Sequence, residues 1–169
     1  MAEKALANAQ LRITVYGSFS PPHEKDNLLR LAQHLRERGF DETDIVEGPR
    51  RPNPWGFDSH QISEFYLQCS DVNFLVFSRF GARLGVTTEL DLLLDSPVVA
   101  TRRSFCVVFD QMEGTARSLG KLQQDRLAEL GEIPVVPFET WEQLHEVAYL
   151  WGVEFCKRLG STLRARLPP

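Results

Sequence analysis

The sequence predicts an α/β fold, a doubly wound domain built on a five-stranded parallel sheet. Three observations carry this reading. Five short apolar runs, near 11–16, 45–46, 72–77, 105–109 and 134–138, alternate with stretches of helical spacing. Short apolar strands alternating with helices mean a parallel sheet covered on both faces. At 169 residues the chain fits one domain whose core needs no staples.

Taken in order, Leu11 to Tyr16 reads as the first strand. Asp26 to Arg38 follows as a helix, with Leu28, Ala32 and Leu35 on one face and Gly39 as its stop. The Pro21-Pro22 pair suits the approach to it, because the missing amide donors have no helical acceptors there. A short second strand is expected near Ile45-Val46. Gly48 to Phe57 holds three prolines, the arginines Arg50 and Arg51, and Trp55, and reads as an irregular loop of the kind that carries function.

Ser59 to Cys69 has helical spacing (Ile62, Phe65, Tyr66, Cys69) and leads into the strand Val72 to Phe77. A helix then opens around Thr88-Glu89. Phe105 to Phe109 is the next strand, Gly114 to Leu130 a helix ended by Gly131, and Pro134 to Phe138 the last strand. Trp141 to Leu159 closes the fold, with Trp141, Leu144, Ala148, Trp151, Phe155 and Leu159 along one stripe. That stripe is either core packing or the face of a homodimer.

Right-handed crossovers between parallel strands favour the flavodoxin-like order 2-1-3-4-5. The domain then spans 11–160, between a flexible start (1–10) and a C-terminal tail (161–169). In this order strands one and three are neighbours at the switch point, where such sheets bind ligands. Their carboxyl ends bring Tyr16-Gly17-Ser18-Phe19 and the segment from Phe80 to Glu89 to one crevice.

Composition narrows the function. A formal net charge of −4 argues against a broad nucleic-acid or acidic-membrane footprint. No apolar run approaches the roughly 20 residues of a membrane span, and the first residues lack a signal peptide's apolar core; the expectation is a soluble, cytoplasmic protein. Cys69, Cys106 and Cys156 are widely spaced and read as reduced thiols. Neither they nor His23, His34, His60 and His145 have metal-ligand spacing, and no metal or other cofactor is required.

Glu89 is the strongest candidate for chemistry. Placed in the opening turn of a helix, its carboxylate is stabilised by the helix dipole and is suited to attack an anomeric carbon or shield an oxocarbenium ion. It also fits a purely structural pattern, since Thr88 to Asp91 matches a capping box. Gly17 and Ser18 offer backbone donors and a hydroxyl to a phosphate or ribose, or simply form a tight turn; the segment is neither a Walker loop nor a dinucleotide fingerprint. Asp71 either orients a ribose or caps a turn, and His60 either faces the crevice or lies on the surface. Arg50, Arg51, Arg79 and Arg83 flank the crevice edge and suit phosphate. Trp55 and Phe57 either stack on a base or pin down the long loop.

With these residues in place, the chain resembles the nucleoside 2-deoxyribosyltransferase-like superfamily, and within it the 2′-deoxynucleoside 5′-phosphate N-hydrolases. The resemblance extends to about residue 110. It rests on Val15-Tyr16-Gly17-Ser18, on His60 to Asp71 leading into an apolar strand, and on Leu84-Gly85-Val86-Thr87-Thr88-Glu89-Leu90, which matches the family's Leu-Gly-Val-x-x-Glu-Leu. It implies that Glu89 is the catalytic glutamate, that Gly17 and Ser18 form a phosphate-binding turn, and that His60 precedes the catalytic aspartate's place.

Thr14 stands where the family has its catalytic tyrosine, Ser63 where it has that aspartate, and Arg83 where it has a phosphate-binding serine. The same sheet with a lone glutamate is also similar to TIR-like domains that hydrolyse NAD. The resemblance thus implies an N-glycosidase-like domain acting on a nucleotide or NAD. The substitutions motivate a rival, a catalytically silent nucleotide-binding or signalling module. Many members of the superfamily complete their pocket across a dimer, so the resemblance implies a homodimer.

Overall fold

The computed structural model describes residues 10–81, 83–95 and 104–166, with the side chains of 83–86 and 161–166 outside that description. Strands β1 (Ile13–Tyr16), β2 (Thr43–Ile45), β3 (Val72–Phe77), β4 (Phe105–Glu113) and β6 (Val135–Phe138) form a parallel sheet in the order β2-β1-β3-β4-β6. The fold is α/β and compatible with a flavodoxin-like arrangement. Every residue of β1, β2 and β3 is buried, as a sheet covered on both faces requires.

Side chains of successive strand residues point to opposite faces, and β3 divides accordingly. Val72, Phe74 and Val76 enter one core with Leu28, Leu31 and Leu35 of α1 (Pro22–Glu37) and Leu144, Ala148 and Phe155 of α5 (Trp141–Arg166). Leu75 and Phe77 enter the other with Ile62 and Tyr66 of α2 (Ser59–Cys69), Leu90 and Leu93 of α3 (Arg83–Leu94) and Leu127 of α4 (Lys121–Leu130). The stripe on α5 is therefore core: the Phe155 ring stacks on Phe105 with centroids 4.5 Å apart, and Trp141 and Trp151 are partly buried against the same cluster. The helix also continues past Leu159 to Arg166, through the start of the expected tail.

The expected helix from Gly114 is overturned. β4 runs on to Glu113, turns at Gly114 (φ 58°) and returns as the short antiparallel strand β5 (Ala116–Arg117). The cause is Asp110, 1% exposed, whose carboxylate accepts from Arg117 Nε at 2.7 Å and from the Leu119 amide at 2.8 Å. Those bonds hold the chain in a hairpin, and the helix starts only at Lys121. No helix among the described residues is long and apolar enough to cross a membrane.

Candidate active site

In a parallel sheet all carboxyl ends lie on one edge, and β1 and β3 are paired there from Ile13↔Val72 to Tyr16↔Leu75. The turns that follow them touch. A Cβ on Gly81 would lie 2.5 Å from Ser78 Oγ and 2.6 Å from Ser18 Cβ, so the loop after β3 passes directly against the turn after β1. Gly17 is equally confined, since its Cβ would lie 2.8 Å from the Leu28 methyls of α1. Between the turn after β1, the end of β2 and helices α2 and α3 lies a cleft of about 430 Å³, within the size range of small-molecule sites.

Gly17, Ser18, Phe19, His60 and Glu89, all candidates from the sequence, line this one cleft together with Glu47, Ser63 and Thr88. His60 sits in the first turn of α2, whose start is fixed by a capping box between Asp58 and Gln61. Phe19 has Lys25 Nζ 5.1 Å from its ring centroid. The Ser18 hydroxyl is already engaged: it donates to Ser20 O at 2.7 Å and accepts from the Ser20 amide at 3.2 Å, bracing its own turn.

Glu89 differs from the expectation in one important way. Helix α3 begins at Arg83, so Glu89 lies inside the helix rather than in its opening turn, and Thr88 is not an N-cap. The residue is 9% exposed. Its Oε1 accepts from Ser63 Oγ at 2.9 Å, and its Oε2 is buried without a hydrogen-bond partner. Burial pushes its pKa up to about 8; the Ser63 bond pulls down and the charge of Glu47 adds to the rise. Desolvation thus outweighs any dipole stabilisation, and at neutral pH the group is mostly a neutral acid.

Other expected residues lie elsewhere. Asp71 precedes β3, at the amino edge of the sheet, where its carboxylate accepts from the Arg12 amide at 2.8 Å; a six-residue strand separates it from the crevice by roughly 20 Å. Arg79 is not in the cleft wall: it pairs with Glu113 and packs over Phe80. Arg51 is a buried latch, donating to Thr14 Oγ1 and Ile13 O at 2.7 Å and to Glu42 O at 2.8 Å. Trp55 and Phe57 stack on each other at 5.2 Å, and both contact the Phe65 ring, pinning the loop rather than lining the cleft. The side chain of Arg83 and the surroundings of Gly85 lie outside what is described. No arginine or lysine is among the described residues that line the cleft.

Glu47 was not singled out from the sequence. It follows β2 and lies on the same edge as Gly17 by the same rule. Its position comes from a tight turn in which Asp44 accepts from the Ile45 and Arg50 amides, each at 2.8 Å, and Gly48 N donates to Ile45 O at 3.0 Å. Compared with known proteins, the chain matches no family model and no curated protein sequence.

Proposed function

We propose that the cleft carries out N-glycosidase-like cleavage or transfer on a nucleotide or NAD-type ligand, with Glu89 as its essential group, in a domain of the deoxyribosyltransferase-like class. The observation that supports it best is the state of the Glu89 carboxyl. One oxygen is held by Ser63, the other is buried and unpartnered, and the residue lines a nucleoside-sized cleft. An acid arranged in this way meets a positive centre well once ionised. As the glycosidic bond breaks, the base leaves with the bonding electron pair and C1′ becomes oxocarbenium-like. The Glu89 anion then shields or captures C1′, and water or a second acceptor completes the reaction, losing its proton. The Leu84 to Leu90 motif supports the same assignment.

The test is incubation with deoxynucleotides, ribonucleotides and NAD, followed by detection of free base or nicotinamide. Wild type is expected to release one of them, and Glu89→Gln to abolish release without loss of folding. Full activity in that variant removes the mechanism.

A second reading, a silent binding or signalling module, is favoured by Thr14. Its hydroxyl sits at a family catalytic position, yet it is fully buried and taken up by Arg51 Nε and Ser70 Oγ, both at 2.7 Å. That reading expects stabilisation by a nucleotide, roughly 2–3 kcal/mol at a hundredfold excess over Kd, with no product.

A further inference from the structure

A second cavity lies at the amino edge of the sheet, opposite the cleft, and the ladder between β4 and β6 accounts for it. The Val108 amide donates to the Pro134 carbonyl at 3.0 Å, and the strands pair from Val108↔Val135 onward. Carried two residues back, the same parallel pattern would have Cys106 O accept from the amide of residue 134. Proline has no amide hydrogen, so the ladder stops and β4 parts from the segment before β6. The space that opens there, walled by both segments and by α5, is a cavity of about 340 Å³.

Its walls are of two kinds. Phe105, Ile133 and Phe155 form an apolar body, with the Phe105 and Phe155 rings stacked at 4.5 Å. The Cys106 thiol belongs to the same wall, since burial pushes its pKa up and keeps it protonated. The polar lining side chains are Ser104, Glu132 and Arg158. Ser104 is 9% exposed, and its hydroxyl has no hydrogen-bond partner among the described residues, a costly state that a ligand group relieves. Arg158 donates from Nε to Glu154 Oε1 at 3.0 Å, and its guanidinium carbon lies 5.7 Å from the Phe155 centroid. A guanidinium has five N–H groups and serves more than one acceptor.

We propose that this cavity is a second ligand site, and that it takes an α-amino acid with an apolar side chain. The side chain fills the space beside Phe105, Ile133 and Phe155. The carboxylate meets Arg158 and accepts from the Ser104 hydroxyl. The ammonium donates to Glu132 and to Cys106 O, the acceptor that Pro134 cannot serve. A ligand of one charge would set either Glu132 or Arg158 against it, whereas a zwitterion suits both. An uncharged apolar molecule would leave the Ser104 hydroxyl unpaired.

Three probes separate the contacts: L-leucine, L-leucinamide, which lacks the carboxylate, and N-acetyl-L-leucine, which lacks the ammonium. In an amide NMR titration of the full chain, leucine is expected to shift the signals of Ser104, Cys106 and Ile133 with a Kd of about 1 mM or tighter. Each of the other two probes is expected to bind about threefold to fivefold more weakly, the size of one exposed charge contact. Arg158→Gln is expected to erase the advantage of leucine over leucinamide, and Glu132→Gln its advantage over N-acetyl-leucine. Both residues are exposed, so Tm should stay nearly unchanged in both variants. Absence of shifts at these amides up to about 20 mM leucine, well past that Kd, overturns the proposal. So do equal affinities of the three probes, or a ranking that both variants leave intact. Base release at the cleft is read separately: release without leucine shifts removes the second site and leaves the glycosidase reading standing, and leucine shifts without release do the reverse.

Discussion

The Ser63 hydroxyl donates to Oε1 of Glu89 at 2.9 Å, joining α2 to α3 at the floor of the cleft. This bond favours the ionised form of Glu89 against the much larger effect of burial. Ser63→Ala removes it, so the Glu89 pKa is expected to rise further above its present value. If base release requires the anion, the acidic limb of the pH–rate profile moves to higher pH. The loss in kcat/KM is then larger at pH 7 than at pH 9. A uniform loss at every pH assigns Ser63 to positioning alone.

Glu89 also sets a pH dependence of folding. Its folded pKa of about 8 lies above the ordinary 4.5. Between these values the native state holds a proton that the unfolded chain has lost. Stability from this group is therefore full below about pH 4.5 and is lost as pH rises through 8. Urea unfolding at pH 5, 6.5 and 8 is expected to show a decline of a few kcal/mol, on the order of that pKa difference. In Glu89→Gln this component should vanish. An unchanged slope in the variant means the carboxyl is not the group responsible.

The parts of the fold legible in the sequence are those fixed by burial on both faces. The runs at 72–77 and 105–109 are mostly apolar, as strands that helices cover on both faces are, and the helix from Ser59 to Cys69 shows in its spacing. Glu89 was legible as a residue and not as a state. The Thr88–Asp91 pattern signals a local start, whereas α3 starts earlier, at Arg83. Asp110 hid its hairpin because its partners, Arg117 and Leu119, follow a turn that reads locally as helix. For Asp71 and Glu47 the signal was present in the topology. A residue before a parallel strand lies at the amino edge and one after it at the carboxyl edge, which excludes the first from the crevice and admits the second.

The aromatic group Trp55, Phe57 and Phe65 is an apolar face suited to self-association, whereas the α5 stripe is core. Trp55 is 53% exposed. A homodimer centred there would bury at least about 1,000 Å² in total, the usual size of a specific contact. Light scattering at micromolar concentration is expected to give a dimer mass, and Trp55→Ser with Phe65→Ser to return the chain to a monomer. A wild-type mass near 19.3 kDa removes the dimer.

Arg51 gives the sharpest separation of structure from ligand binding. An arginine in a loop beside a ligand crevice suggests phosphate, yet this one is 2% exposed and spends its donors on Thr14 Oγ1 and the carbonyls of Ile13, Glu42 and Arg50. It ties the proline-rich loop to β1 and to the approach to β2, and Tyr66 adds a second tie through its hydroxyl to Pro52 O at 2.6 Å. Burial drives the Arg51 pKa down, and the nearby Asp44 charge opposes the shift. Lysine has neither the planar fork nor enough donors for these acceptors. Arg51→Lys and Arg51→Ala are therefore both expected to destabilise the fold, by roughly 2–4 kcal/mol, through buried acceptors left unpaired. Chemical denaturation measures this directly. The affinity of the folded fraction for any nucleotide should change less than threefold. Unchanged stability with a large loss of nucleotide affinity would return Arg51 to the phosphate site.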